Sequence, residues 1–338
     1  MTTMTIYWIV FIAIFLIVFF IDLYATGHRE GEMSVKTSLR WTALWIGIAL
    51  LFGASLFFFF PQNPESTVNT AHTMGAKFIA GYLTEYSLSV DNLFVFMMIF
   101  SLMGVSAKNQ PKLLELGIML SIVLRVLFIL VGMGLVQQFH WIMYIFGAIL
   151  LWTAYKMAFS GEDEQVDPEA NFLYKFASRI FPIDPDENAS HFFKKINGKI
   201  HITATFLVFL VIGSTDVLFA VDSIPAIIGV IKEGASGILT NSEEQFLAVT
   251  SNVFAVMGLI SLYFALKGII TMFRFLKHGV SFILFFIGAK MLLCYFEPIE
   301  HFFGQHSWLS LAVIIGTLGV SILLSIIIKE KNENSNLA

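Results

Sequence analysis

The chain of 338 residues is 57% hydrophobic and 13% charged, with a mean hydropathy of +0.80. A soluble domain is about 45–50% apolar and about 25% charged, so the composition excludes a soluble globular protein and implies an integral membrane one. A net charge of -4 and a sequence pI of 6.1 exclude a nucleic-acid partner, and the single cysteine, Cys294, excludes a disulfide framework or thiolate metal cluster and reads as a small apolar filler.

At about 20 apolar residues per bilayer crossing, the sequence predicts an all-α polytopic membrane protein. Nine helices fall at 6–25, 40–60, 77–103, 114–136, 139–158, 202–231, 246–267, 279–297 and 307–328. The first has no Lys or Arg ahead of it and is longer than a signal-peptide core, so it reads as a retained helix. The connection 159–201 is polar and mixed in charge and reads as a solvated linker. Of the 20 Lys and Arg residues, sixteen fall in connections on one side of the membrane and two on the other, while Arg125 and Lys290 lie inside apolar spans. This bias places the N-terminus outside and the C-terminus inside.

The third and sixth helices carry matching motifs. Glu85, Asp91 and Asn92 in the third have the spacing of Asp216, Asp222 and Ser223 in the sixth. The fifth and eighth are alike as well, with IFGAILL at 145–151 and FIGAKML at 286–292. Helices 3–5 and 6–8 therefore read as inverted three-helix repeats within a single membrane domain, 1–338. On this division two added helices occupy 1–76, the first repeat 77–158, a cytoplasmic loop 159–201, the second repeat 202–297, and the last helix with a short tail 298–338. Inverted repeats are a transporter device, with the substrate near the midplane where the halves meet.

An ionised acid in a membrane helix costs about 2.5–3.5 kcal/mol or more, and here there are four. Fixed cations or a bound cation must compensate them. Arg125 and Lys290 are the fixed cations at hand, and two uncompensated charges would remain for one divalent ion. Acids at i and i+6 do not share a face of a straight helix, so their convergence predicts a break, and Pro225 together with Gly213, Ser214 and Thr215 marks the place in the sixth helix. Carboxylates, an amide and hydroxyls are hard oxygen donors that suit Mg2+, Ca2+ or Mn2+. The candidate metal-binding residues are thus Glu85, Asp91, Asn92, Asp216, Asp222 and Ser223. Arg125, Lys290, Asn252 and Thr215 are candidates for counter-charge or outer support.

The strings SVDNLFVF, STDVLFAVDSIPAI, TSNVFAVMGLISLYF and HFFKKINGKIHIT resemble the TerC family of integral membrane proteins, in its Alx-like branch, over nearly the whole chain. The family was named for tellurium resistance. The resemblance implies export of Mn2+ from the cytoplasm across a bacterial cytoplasmic membrane, with Glu85, Asp91, Asn92, Asp216 and Asp222 at the transport site. Two positions depart from the pattern the resemblance implies: Gly213 stands where many relatives carry a Glu, and Ile260 where they often carry an Arg.

The expected partners are a divalent cation, protons as counter-substrate and the bilayer, with no resident cofactor. No Walker A string is present, so ATP hydrolysis is not the driver. An intramembrane aspartyl protease would need a G-x-G-D string, and Asp216 follows Ser-Thr instead. A non-transporting membrane scaffold and an uncoupled divalent-cation channel stand as the alternatives to a secondary transporter.

Overall fold

The computed structural model describes residues 3–27, 34–64, 66, 68–139, 141–159, 171–184, 191–196, 199–232, 234–235, 237–269, 275–293, 296, 302 and 307–328. Cys294 lies outside the described residues. The elements are α1 Thr3–Gly27, α2 Val35–Phe59, α3 Thr70–Leu102, α4 Gln110–Gln138, α5 Ile142–Phe159, α6 Phe172–Ile180, β1 Phe193–Ile196, β2 Lys199–Ile202, α7 Ala204–Lys232, α8 Asn241–Val256, α9 Leu259–Ile269, α10 Leu276–Leu293 and α11 Ser307–Ile327.

The protein is an all-α polytopic membrane protein. Among the described residues, seven helices are long and apolar enough to cross a bilayer, and eight when α8 and α9 count as one bent span. The nine predicted segments fall at α1–α5, α7, the α8–α9 pair, α10 and α11. Large apolar side chains on α1, α2, α5 and α11 face outward, as lipid-facing helices require; Phe20, Leu51, Phe59, Trp152 and Ile327 are examples.

Three predicted features come out differently. The sixth predicted helix, α7, runs unbroken through Pro225. Proline removes one backbone donor, and here Ile224, Ala226, Ile227 and Ile228 beside it are buried in packed core, which holds the helix together. The seventh, by contrast, is broken. The α8–α9 pair bends by 40° where Met257 caps α8 in extended conformation and Gly258 adopts φ 84°, a left-handed geometry that suits glycine.

The 159–201 connection also holds more structure than a linker. Asn171 caps α6 by accepting from the backbone N–H groups of Leu173 and Tyr174. β1 and β2 pair antiparallel, with Phe193 opposite Ile202. Lys194 bridges to Asp184 at 3.1 Å, and Asp184 donates its backbone N–H to Ile202 O at 2.8 Å.

Packing in the membrane pairs α3 with α8, α4 with α7, α3 with α7, and α5 with α10. Glycines set the closest approaches. A Cβ on Gly147 of α5 would lie 3.1 Å from Gly288 O of α10, and one on Gly288 would lie 3.0 Å from Gly147 O.

Candidate functional site

The site is assembled around Arg125 of α4, whose side chain is 1% exposed. Ser121, one turn earlier on the same helix, accepts from Arg125 Nε at 3.0 Å. Nη1 pairs with Glu85 Oε1 of α3 and donates to Ser223 Oγ of α7 at 3.3 Å. Nη2 donates to Asp216 Oδ1 of α7 at 3.3 Å. Asn92 of α3, with its amide oxygen turned toward the guanidinium, accepts from Nη2 at 3.3 Å and donates to Leu88 O at 3.2 Å. The five N–H donors of an arginine thus have five side-chain acceptors from three helices.

Helix periodicity explains the arrangement. Glu85, Ser89 and Asn92 stack on one stripe of α3, and Ser89 Oγ donates to Glu85 Oε1 at 3.3 Å. On α7, Asp216 and Ser223 lie two turns apart and face α4 together. Glu85, Asp216, Asn92 and Ser223 are 0%, 4%, 8% and 1% exposed, so the whole group is shut away from water. Two carboxylates share one guanidinium, which leaves the described group one negative charge in excess if both are ionised. Glu85 Oε2 and Asp216 Oδ2 are buried and have no hydrogen-bond partner. Buried carboxylate oxygens left in this way are costly, and they can bind a cation.

Glu85, Asn92, Asp216, Ser223 and Arg125 therefore meet. The side chains of Asp91 and Asp222 lie outside the described residues, although their backbones belong to α3 and α7. Thr215 does not join the group: its hydroxyl donates to Val211 O at 2.7 Å, within its own helix. Lys290 is placed against α11, where Nζ donates to Ser310 Oγ and sits 5.3 Å from the centre of the Phe286 ring. Asn252 is fully buried on α8, and neither amide atom has a partner. A Cβ on Gly213 would meet Leu120 Cδ2 at 2.8 Å, so this position faces α4.

Among the described residues no three His, Cys, Asp or Glu side chains cluster; the gathered donors are two carboxylates, an amide and hydroxyls. Sequence reasoning missed Ser121 and Ser89. Their signal was the i, i+4 spacing to Arg125 and Glu85.

Two further ion-bearing places lie toward one end of the bundle. Lys77 Nζ donates to Val230 O at 2.8 Å, and Lys232 pairs with Glu244 at 2.8 Å. Toward the opposite end, a cavity of about 400 Å3 is lined by Ser101, Gln110, Tyr263 and Lys267 among others.

The family model described as "Integral membrane protein TerC family" matches residues 70–333. The chain is 36% identical over 320 residues to an uncharacterized membrane protein, STKORF319, of Myxococcus xanthus, covering 95% of this chain and 92% of the relative. It is 36% identical over 321 residues to the putative membrane-bound redox modulator Alx of Escherichia coli (strain K12), covering 94% and 93%. It is 34% identical over 299 residues to the chloroplastic thylakoid membrane protein TERC of Arabidopsis thaliana, covering 88% and 70%. No solved structure matches.

Proposed function

The chain belongs to the TerC family of integral membrane proteins, and on that premise we propose that it is a secondary transporter that exports a divalent cation, Mn2+, from the cytoplasm across a bacterial inner membrane. One observation carries this reading. Glu85 and Asp216, from the two motif helices, are buried around a single arginine, and each keeps one carboxylate oxygen without a partner. One acid neutralises the arginine, and the second leaves a negative charge in excess that a mobile cation can meet. A site that alternately holds a fixed and a mobile cation would use it in this way.

Glu85, Asp216, Asn92 and Ser223, joined by Asp91 and Asp222 of the same motifs, supply hard oxygen donors to the ion. When the cation leaves, protons neutralise carboxylates in a dry site, which couples export to proton entry. The helix pairings support an inverted repeat. Exchanging α3 with α7 and α4 with α8 turns the α3–α8 contact into the α7–α4 contact, and both are present. Such a repeat gives alternating access by rocking one half against the other. Some relatives are described as redox modulators, whereas this chain has a single cysteine and so no dithiol of its own to exchange.

The test uses the purified protein in proteoliposomes that hold a dye quenched by Mn2+, with a pH gradient applied and Ca2+ and Mg2+ run in parallel. Quenching that needs the protein and quickens with the gradient is expected. Correctly inserted protein that moves none of the three ions would refute transport and leave a membrane scaffold.

A further inference from the structure

Among the described residues, Asn252 is the one amide with both polar atoms buried and without a partner. It is 0% exposed, and neither Oδ1 nor Nδ2 has a partner. Its neighbour Ser251 is equally buried, and its Oγ is unpartnered too. Buried amides in folded proteins are hydrogen-bonded, and an asparagine that served to bind two helices together would show that bond.

Its position is fixed by α3. The two helices begin at the same end of the bundle, where Asn63 Nδ2 donates to Ile238 O at 3.4 Å across the preceding turns. They touch at Gly81, where a Cβ would lie 2.7 Å from Ser251 Oγ. Both rise about 1.5 Å per residue. Asn252 is thus level with Tyr82, and Val256, the last residue of α8, is level with Tyr86, next to Glu85. The broken helix ends at the depth of the buried acid. Its last carbonyls and the negative end of its dipole lie at that level.

The repeat points the same way. Asp216, Ser223 and Asn252 each stand 131 residues after Glu85, Asn92 and Ser121. Ser121 lies on α4 beside Asp216 and Ser223, joined to them through Arg125. Its counterpart Asn252 lies on α8, the helix packed on α3 with Glu85 and Asn92. The counterpart of Arg125 is Val256, so this half contributes a helix C-terminus where the other contributes a fixed cation.

We propose that Asn252 Oδ1 is a ligand of the transported divalent cation, at a half-site formed by α3 and α8 around Glu85; this rests on the transport reading above. The ion takes the place toward Glu85 that Arg125 has in this structure, while Arg125 keeps Asp216 and Ser223. A neutral amide oxygen beside the Glu85 carboxylate adds to a donor set for a hard cation.

The test is Mn2+ binding to the purified full-length protein in detergent, followed by the electron paramagnetic resonance of free Mn2+ and by thermal unfolding with and without Mn2+. Asn252→Leu should weaken Mn2+ binding about 10–100-fold and leave the metal-free unfolding temperature unchanged or higher, because it removes an unsatisfied amide. Asn252→Asp, close in shape, should change the affinity at least about tenfold by placing a charge on the ligand, and it serves if the leucine variant fails to fold. Wild-type affinity in the Asp variant, or wild-type affinity with a lowered metal-free unfolding temperature in the Leu variant, would overturn the proposal and make Asn252 a packing residue. Asp216→Asn separates the two readings. If it loses binding while both Asn252 variants bind as wild type does, this inference alone fails, and if wild type itself binds no Mn2+, the transport reading fails with it.

Discussion

Replacing Arg125 with Met keeps the aliphatic stem and removes the charge from the centre of the site. In the native protein the guanidinium serves Glu85, Asp216, Ser223, Ser121 and Asn92. Its loss strands two carboxylates that are 0% and 4% exposed. Breaking a buried pair from one side costs about 3–5 kcal/mol, because the remaining charge is uncompensated. Arg125→Met should therefore lose about 3–5 kcal/mol in reversible unfolding by a denaturing detergent. Adding Glu85→Gln removes one stranded charge and should restore about 2 kcal/mol, a coupling expected of residues in direct contact. Arg125→Lys should fall between, since an ammonium is a point charge with three donors and cannot meet five acceptors. A loss under about 1 kcal/mol for Arg125→Met, or no coupling with Glu85→Gln, would show that the acids are not held by this arginine.

Gly258→Ala should cost about 1–3 kcal/mol, because the residue sits at φ 84° and its Cβ would meet Trp45 Cδ1 at 2.3 Å; the same unfolding assay reads it. Gly288→Val should cost at least about 1–3 kcal/mol, since its Cβ would lie 3.0 Å from the Gly147 carbonyl and a backbone oxygen cannot yield as a side chain does. Glu244→Gln should cost about 1–2 kcal/mol, because Lys232 and Glu244 are 16% and 7% exposed and pair at 2.8 Å; hydrogen exchange should rise first at the start of α8.

The spans were legible because hydropathy is a local property, and the acids because each stands alone in an apolar run. Arg125 was legible for the same reason. Its choice over Lys290 was not, since only packing shows that α10 carries Lys290 to Ser310 and α4 carries Arg125 to α3 and α7. Pro225 misled because a proline's cost is local while the burial of Ile224 and Ala226–Ile228 that offsets it is tertiary. Gly258 went unread for the opposite reason. A glycine in an apolar helix pattern is usually tolerated, and the sequence carries no sign that Trp45 lies against it. Thr215 satisfied its hydroxyl on its own backbone, a choice open to any threonine in a helix. The hairpin at 193–202 was within reach, because Asn-Gly between alternating residues is a turn signal.

The central claim is that the carboxylates around Arg125 carry the ion. The most direct measurement is Mn2+ accumulation by everted membrane vesicles with wild-type protein, Glu85→Gln and Asp216→Asn, at matched expression and with each variant's fold checked. The account predicts accumulation with wild type and a loss of about 100-fold or more in each variant, the scale of removing a buried ligand together with the partner of Arg125. Wild-type accumulation that persists in both variants would place the ion's path elsewhere and contradict it.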